Sequence, residues 1–221
     1  MPNTSLPDWE MLLSSAAHLQ KIIPETVLVG GTAAATYAHH RVSVDHDHVL
    51  PNLRTRFDEV LAKLESVAGW TTARVKRPVL ILGSLDGIET GVRQLIRETP
   101  LETETICIGG ESLIVPTRAE MLRIKAVLIV KRNATRDYLD FIALSDLIGR
   151  EAVQEALEGF DRLYPQPNGQ SVRQQLQIQL ANPMPYDLEE TNLGEYKKLK
   201  AEYQDWARVV EKCREVANVL W

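Results

Sequence analysis

The chain has 221 residues, of which 44% are hydrophobic and 25% are charged, and its formal net charge is −5. This is enough apolar sequence for a packed core in one large or two small globular domains. An acidic chain is not typical of a nucleic-acid binder. No run approaches the roughly 18 apolar residues of a membrane span, and the N-terminus lacks the basic start and apolar core of a signal peptide. We therefore expect a cytoplasmic protein that has no membrane partner.

The first part of the chain alternates helical and strand patterns. Apolar residues at helical spacing predict an amphipathic helix over residues 6–23, which ends at Pro24. A short apolar run at 27–29 predicts a strand, and it is followed by a Gly-Gly turn, an alanine-rich helix and an alternating strand up to Leu50. Residues 54–67 again have helical spacing and close at Gly69, so they predict a second covering helix.

Residues 70–97 change to short β-branched and apolar runs that are separated by turns. This pattern predicts two or three antiparallel strands, with a hairpin turn at Asp86-Gly87. Another strand pair is predicted at 104–108 and 112–115, on either side of a second Gly-Gly turn. This part of the chain therefore supplies most of the predicted sheet.

The rest of the chain is predicted to be mainly helical. A capping-box pattern, Thr117 to Glu120, predicts a helix from Thr117 to about residue 131. Thr135 is the predicted N-cap of the next helix, which ends at Gly149 and is followed by another over residues 150–159. Beyond a Pro- and Gly-containing loop at 164–169, the segments 171–180 and 195–220 are predicted to be helical, with irregular chain between them.

Gly30 and Gly31 stand at the predicted turn from the first strand into the alanine-rich helix. A Gly-Gly pair lets the backbone approach a ligand closely, and the new helix presents its free N–H groups to an anion. Phosphate is the usual occupant of such a turn. Taken alone, however, the turn is more often simple loop chemistry than a phosphate site.

The strand after this helix carries two aspartates at alternating positions. Ser43, Asp45 and Asp47 are expected to share one face of the strand, and His46 and His48 the other. Two carboxylates on one strand face, roughly 7 Å apart at the Cα atoms, suit a hard cation, and Mg²⁺ fits best because it takes one or two carboxylates plus substrate phosphates. An Asp-x-Asp on a strand is often only a solvated face. Together with the Gly-Gly turn, it indicates a nucleoside triphosphate and its metal.

The combined order of Gly-Gly, nine residues and then Arg41-x-Ser43-x-Asp45-x-Asp47 is much more specific than its parts. It resembles the motif of the AbiEii/AbiGii-like nucleotidyltransferases, the abortive-infection and type IV toxin branch of the DNA polymerase β-like superfamily. The resemblance covers about residues 27–144. It implies an α+β fold of the polymerase β-like nucleotidyltransferase type, with a mixed sheet covered by helices. It also implies a nucleotidyltransferase core over 1–116 and a helical C-terminal region over 117–221 that completes the site and a partner surface.

A second group of charged residues is similar to the later motifs of the same family. Lys125 lies on one predicted helix, and Arg136-Asp137-x-x-Asp140 lies on the next. Without the resemblance, these residues are better interpreted as a salt-bridged helical surface. The resemblance implies that Lys125 neutralises triphosphate charge and that Asp140 lies near the nucleotide or orients Lys125. The residues that it assigns to nucleotide binding are Gly30, Gly31, Thr32, Arg41, Ser43 and Arg136.

The superfamily usually has a third carboxylate on a later strand, and here the chain departs from the pattern. The position that aligns with this carboxylate is Gly91. Glu89 lies two residues earlier on the same strand face, and it is the candidate third metal ligand beside Asp45 and Asp47.

Histidines near the aspartates raise a zinc site as an alternative. His46 and His48 are expected to face away from Asp45 and Asp47, however, which favours histidines that pack beneath the sheet or lie exposed at its edge. Cys107 and Cys213 have no paired spacing, which argues against a disulfide framework or a zinc site built from cysteines.

The sequence thus predicts an enzyme that uses Mg²⁺ (or Mn²⁺) to transfer NMP from an NTP to an acceptor hydroxyl on RNA, tRNA or protein, with release of pyrophosphate. The resemblance implies the toxin-like component of a toxin–antitoxin or abortive-infection system, with a cognate antitoxin protein as a partner. Two alternatives remain open. Gly91 favours a degenerate, non-catalytic nucleotide-binding or antitoxin-like regulator, and an aminoglycoside-type small-molecule nucleotidyltransferase would have an acidic acceptor pocket.

Overall fold

The computed structural model describes residues 8–196 and 198–220, and these form two compact units. The first unit contains the described residues up to Ala33 together with Ser43–Pro116. The second contains Ala34–Val42 together with the described residues from Thr117 onward. The functional division into 1–116 and 117–221 stays a prediction, because compactness alone does not show that a segment acts by itself.

A mixed five-stranded sheet is the centre of the first unit. Its strands are β1 (Val27–Val29), β2 (His46–Leu50), β3 (Trp70–Lys76), β4 (Leu80–Leu85) and β5 (Ile88–Gln94), in the order β1-β2-β5-β4-β3. The β2–β5 pair is parallel and the other neighbouring pairs are antiparallel. The predicted antiparallel strands between 70 and 97 are confirmed, and the β4–β5 turn has positive φ at Asp86 (+53°) and Gly87 (+80°), as a tight hairpin requires.

One face of this sheet packs against helices α1 (Trp9–Ile22) and α3 (Leu53–Glu65). The buried cluster between sheet and helices is Leu19, Ile22, Ile23, Leu50, Leu53, Phe57, Val60, Leu64, Ile81, Leu85 and Val92. Burying one such side chain contributes about 1.5–3 kcal/mol, so this cluster fixes which face of each strand is internal. Helix α1 lies within the predicted span, of which residues 6 and 7 are outside the described residues.

A two-stranded ribbon, β6 (Thr103–Ile108) paired with β7 (Glu111–Pro116), confirms the second predicted strand pair. Gln20 of α1 holds the ribbon through two hydrogen bonds to Ile114. Its side-chain amide donates to the Ile114 carbonyl (2.8 Å) and accepts from the Ile114 N–H (2.9 Å). The buried amide therefore replaces a neighbouring strand at this position.

The second unit is helical. Its helices are α4 (Arg118–Arg132), α5 (Thr135–Ile148), α6 (Arg150–Ala156), α7 (Phe160–Leu163), α8 (Val172–Ala181) and α9 (Trp206–Val219). Helix α2 (Gly30–Ala38) begins in the first unit, and its residues from Ala34 belong to the second. Within the described ranges, no helix is both long and apolar enough to cross a bilayer.

The N-terminus of α5 differs from the prediction. Thr135 is its first helical residue, and the N-cap is Ala134, which has no capping side chain. Asp187, 52 residues later, supplies the missing acceptor through hydrogen bonds from the Thr135 N–H (2.7 Å) and hydroxyl (2.8 Å). A cap supplied from so far along the chain leaves no local sequence signal.

The helix predicted over 195–220 is wrong in its first half. Short 3₁₀ turns occupy Leu193–Glu195 and Ala201–Tyr203, and α9 begins only after its cap Asp205, whose side chain accepts from the Ala207 N–H (3.0 Å). Lys200 explains the interruption. It donates its N–H to the His40 carbonyl (2.9 Å) and its ammonium to the Ala38 carbonyl (3.1 Å) at the end of α2, so its backbone is not available for a helix.

The strand predicted to carry Ser43, Asp45 and Asp47 is shorter than expected. β2 begins at His46, so Ser43 and Asp45 precede it. The neighbouring strand β1 reaches only Val29, which pairs with Asp47, before the chain enters α2. Asp45 therefore has no partner on the β1 side, and its carbonyl accepts from the side chain of Thr32 instead.

Candidate functional site

The entry of β1 into α2 brings a helix N-terminus against a carboxylate. Gly30, the first residue of α2, has φ +77°, a conformation that favours glycine. A Cβ at this position would lie 3.4 Å from both Cβ and Oδ2 of Asp47. The two predicted elements, the Gly-Gly turn and the second aspartate, thus lie in contact within the first unit.

Asp45 is held in place from both sides. Thr32 donates its hydroxyl to the Asp45 carbonyl (2.5 Å), and Ser43 donates its hydroxyl to Asp45 Oδ1 (2.9 Å). Thr32 and Ser43 were predicted to bind the nucleotide, and here their hydroxyls orient Asp45. The backbone N–H groups at the start of α2 are a second kind of donor that a helix N-terminus can present to an anion.

The neighbours of Asp47 on the sheet include an arginine that the sequence interpretation missed. Asp47 pairs with Gly91 in the parallel β2–β5 ladder, and Arg93, two residues further along β5, donates from Nε to Asp47 Oδ1 (3.3 Å). The Asp47 side chain is 30% exposed and that of Arg93 is 45% exposed, so solvent weakens this ion pair. Spacing from Gly91 could have suggested Arg93, since side chains two apart on a strand share a face.

The position that aligns with the third carboxylate faces Asp47, and a side chain there would need the end of Leu82 to move. A Cβ on Gly91 would lie 3.4 Å from Asp47 Oδ1 and only 2.6 Å from Leu82 Cδ2. Glu89 is exposed, and the β2–β5 ladder ends at the His46–Thr90 pair, one position before Asp45 and Glu89. Among the described residues, no group of three or more His, Cys, Asp or Glu side chains could hold a metal ion. The role of Glu89 as a metal ligand stays a prediction.

The remaining donor set fits one kind of cation. Asp45 and Asp47 offer carboxylate oxygens only, which suits Mg²⁺ or Mn²⁺ and not a soft metal. Mg²⁺ is commonly held by one or two carboxylates while the phosphates of the substrate and water complete its shell. Two aspartates beside a helix N-terminus therefore fit a cation that arrives with a nucleotide.

Beneath β2, on the opposite face, the two histidines form a buried chain of hydrogen bonds. His46 Nε2 lies 2.9 Å from Ser15 Oγ, and His46 Nδ1 lies 2.9 Å from Thr90 Oγ1 and 3.1 Å from His48 Nε2. Since Ser15 donates to the Leu85 carbonyl (3.3 Å), this network assigns the His46 proton to Nε2. Burial lowers the pKa of His46 to about 4 and holds the pKa of His48 well below its usual value. As predicted, these histidines pack beneath the sheet.

In the second unit, Asp140 is the acceptor of a buried ionic cluster. His40 Nε2 lies 2.7 Å from Oδ1, Arg41 donates to both oxygens (2.7 and 3.0 Å), and Lys125 Nζ lies 2.7 Å from Oδ2. Burial raises the pKa of Asp140, but Arg41, Lys125 and His40 together hold it well below its usual range. Arg41 and Asp140 were predicted site residues, whereas the contact of His40 with Asp140 was not foreseen.

Asp137 is the second anion of this cluster. It accepts a bidentate pair from Arg132 (2.5 and 2.8 Å) and lies 3.5 Å from Lys125 Nζ. The side chains of Lys125 and Asp137 are 1% and 0% exposed. Arg136, the next predicted nucleotide-binding residue, is exposed and has no ion pair among the described residues. The structure therefore brings Arg41, Lys125 and Asp140 together and leaves Arg136 outside the cluster.

Tyr196 covers part of this cluster. The Arg41 guanidinium lies over its ring, 5.9 Å from the centroid, and burial raises the pKa of the Tyr196 hydroxyl. No sequence signal pointed to this tyrosine, because it lies in the segment that was predicted to be helical and because the contact spans most of the chain.

No protein-family model matches the chain. The heme uptake protein MmpL11 of Mycobacterium tuberculosis is 31% identical in an alignment 228 residues long, and the alignment covers 96% of this chain and 23% of that protein. The mycolic acid-containing lipids exporter MmpL11 of Mycolicibacterium smegmatis is 34% identical over 127 residues, which cover 56% of this chain and 13% of the exporter. The chain therefore spans about a quarter, or less, of the length of these transport proteins.

Among solved structures, the antibiotic-resistance factor ANT(2'')-Ia aligns with a TM-score of 0.53 at 13% identity, over 70% of this chain and 92% of that one. The chain has the polymerase β-like nucleotidyltransferase fold. The predicted α+β class, with a mixed sheet, covering helices and a helical C-terminal part, is confirmed.

Proposed function

We propose that the chain is a nucleotidyltransferase that transfers NMP from an NTP to an acceptor hydroxyl and releases pyrophosphate. The contact of Gly30 with Asp47 carries this proposal, because it puts the N–H groups of a helix N-terminus beside a carboxylate. Phosphate oxygens and a divalent cation need these two kinds of group side by side. The nucleotidyltransferase fold supports the same reaction class.

In the proposed reaction, the acceptor oxygen bonds to the α-phosphorus, the bond from the α-phosphorus to the bridging oxygen breaks, and the hydroxyl proton passes to solvent. The first N–H groups of α2, from Gly30 to Thr32, bind phosphate oxygens. Ser43 and Thr32 fix Asp45, so that Asp45 and Asp47 can hold Mg²⁺ or Mn²⁺ with little reorganisation. The bound cation supplies charge neutralisation for the departing pyrophosphate.

We assign the chain to the AbiEii/AbiGii toxin-like branch as part of the same proposal. Support comes from the motif Arg41-x-Ser43-x-Asp45-x-Asp47 and from the later residues Lys125 and Asp140. A toxin of this kind has a cognate antitoxin protein as its partner. Lys125 is proposed to neutralise triphosphate charge and Asp140 to orient the lysine, and the contact of 2.7 Å between Lys125 Nζ and Asp140 Oδ2 supports the second role.

For the acceptor we propose RNA, including tRNA. The sheet face that carries Asp47 continues through Gly91 and Leu82 to Arg74, because directly paired residues on neighbouring strands share a face. Arg74 and Lys76 are exposed on the edge strand β3. Exposed cations on the same face favour a polyanionic acceptor over a cationic aminoglycoside, which would need an acidic surface.

The second candidate is a nucleotide-binding module that does not transfer. Gly91 in place of an acid favours it, and so does the ion pair of Arg93 with Asp47. The similarity to a segment of much longer transport proteins is compatible with a module that senses a nucleotide for another protein.

The deciding experiment incubates the purified chain with Mg²⁺, each NTP labelled at the α-phosphate, and either total cellular RNA or total protein. We expect label in the RNA arm and matching pyrophosphate release, both absent in Asp45→Asn. NTP binding by calorimetry without label transfer or pyrophosphate release would instead establish the non-transferring candidate.

A further inference from the structure

We propose that Arg93 is a resident counter-cation of Asp47, so that this site accepts one divalent cation with the nucleotide and not two. The inference rests on the proposed function, since it concerns the same pair of aspartates. It adds a role for a residue that the motif does not contain.

Strand β5 supplies the side chains that lie beside Asp47. Glu89, Gly91 and Arg93 alternate along one face of β5, and the central one lies directly opposite Asp47. On this face the group that reaches Asp47 is the Arg93 guanidinium, at 3.3 Å from Oδ1. A positive side chain thus contacts the aspartate at the place where the superfamily usually presents a third negative one.

The net charge of these side chains limits how many divalent cations they can hold. Three carboxylates carry enough negative charge to hold two divalent cations about 3.5–4 Å apart. Asp45, Asp47 and Arg93 together carry only one net negative charge. A second cation beside Asp47 would be repelled by the guanidinium, and it would lack the third oxygen ligand that bridges such a pair.

Leu82 packs beside the position that aligns with the third carboxylate. A Cβ on Gly91 would lie 2.6 Å from Leu82 Cδ2, so an acid there requires the end of the leucine side chain to move. Leu82 and Gly91 are directly paired across β4 and β5, so the leucine borders the place where a third carboxylate would stand. Sequence and packing therefore agree on a two-acid site.

The test counts Mn²⁺ bound to the full chain by electron paramagnetic resonance, with a non-hydrolysable NTP analogue present. We expect one ion for the wild type. Without nucleotide, Arg93→Ala should bind Mn²⁺ about threefold more tightly, because a partly exposed ion pair no longer competes for Asp47. The matched control Arg54→Ala removes an exposed arginine from α3 and should leave Mn²⁺ affinity unchanged.

A triple variant, Leu82→Ala/Gly91→Asp/Arg93→Ala, restores the acid, makes room for it and removes the guanidinium, and it should bind a second Mn²⁺. Two ions in the wild type, or unchanged affinity in Arg93→Ala, would overturn the inference. One ion without pyrophosphate release would overturn the proposed function and leave the inference standing. No Mn²⁺ binding would overturn both.

Discussion

Gly30 and Asp47 lie in contact across the β1–β2 pair, with only 3.4 Å between Asp47 Oδ2 and the place of a Cβ on Gly30. Gly87 makes a matched comparison, because its φ of +80° is nearly the same but nothing lies within 4 Å of its added Cβ. Gly30→Ala and Gly87→Ala should each lower the free energy of unfolding by about 1–2 kcal/mol through backbone strain. Only Gly30→Ala should also weaken Mg²⁺–NTP binding in calorimetry. Equal Mg²⁺–NTP binding by both variants would show that the Gly30 turn is not part of the nucleotide site.

Asp45→Asn should abolish nucleotide transfer without unfolding the domain. Asparagine keeps the oxygen that accepts from Ser43, and the contact of Thr32 is with the backbone carbonyl, so both local hydrogen bonds survive. The substitution removes the charge that a divalent cation needs. Circular dichroism and pyrophosphate release, measured on the same sample, check the two halves of the prediction. Transfer at a near wild-type rate would show that the metal assignment is wrong.

Glu89→Gln tests the weaker metal candidate. Because the β2–β5 ladder ends before Glu89 and its side chain is exposed, we expect transfer within about twofold of the wild type, a change below 0.5 kcal/mol in activation free energy. A loss as large as that of Asp45→Asn would make Glu89 the third ligand after all.

The sequence was sufficient for the parts of the fold that depend on local pattern. Alternation predicted the hairpins of the sheet, and the pair Thr117 and Glu120 predicted the start of α4, where Thr117 Oγ1 accepts from the Glu120 N–H. Periodicity failed where distant residues decide the local structure. Asp187 caps α5 from 52 residues away, and Lys200 bonds to the end of α2, so neither effect leaves a mark in a short window.

The candidate site also combines features that local sequence predicts with features that distant contacts decide. The motif singled out Gly30 and Asp47, which lie in contact, because turn chemistry and strand alternation are local. It missed Arg93 and the hydrogen bonds of Thr32 and Ser43 to Asp45, because these contacts depend on which segments lie side by side. Register across a parallel pair is set by the whole sheet and not by one segment.

Acid should destabilise the chain through the histidines beneath β2. The pKa of His46 is lowered to about 4 and that of His48 is lower than usual, both mainly by burial, whereas unfolded histidine titrates near ~6.5. Between these two pH values the unfolded chain therefore binds more protons than the folded chain. The contribution of the neutral histidines to the free energy of unfolding is complete above about pH 6.5 and is lost as the pH falls toward 4. Denaturant melts should show that His46 alone lowers the free energy of unfolding by on the order of 2–3 kcal/mol over this pH range.

His48→Leu should make this acid dependence shallower, because it removes one histidine that must stay neutral. His18→Gln is the control, since it removes a surface histidine that lies outside this buried network. If the free energy of unfolding falls equally with pH in all three proteins, the acid sensitivity comes from other residues.

Asp140→Asn should be strongly destabilising. The substitution leaves Arg41 and Lys125, which are 8% and 1% exposed, without the carboxylate that both contact. Removing one partner from a buried ion pair typically costs about 3–5 kcal/mol. The double variant Lys125→Met/Asp140→Asn should recover part of this loss, because one of the unpaired cations is then absent. If the two substitutions are simply additive in denaturant melts, the ion pair contributes no coupling energy.

Lys125→Met should separate structure from function in the same cluster. Methionine keeps the stem of the lysine, while Asp140 keeps Arg41 and His40 and Asp137 keeps Arg132, so each carboxylate retains a partner and the fold should persist with little change in melting temperature. If Lys125 acts on the triphosphate, transfer should fall at least tenfold, about 1.4 kcal/mol, and Mg²⁺–NTP should no longer raise the melting temperature of the variant. We expect this result. A variant that transfers at the wild-type rate, with only its stability altered, would make Lys125 a structural ion-pair residue.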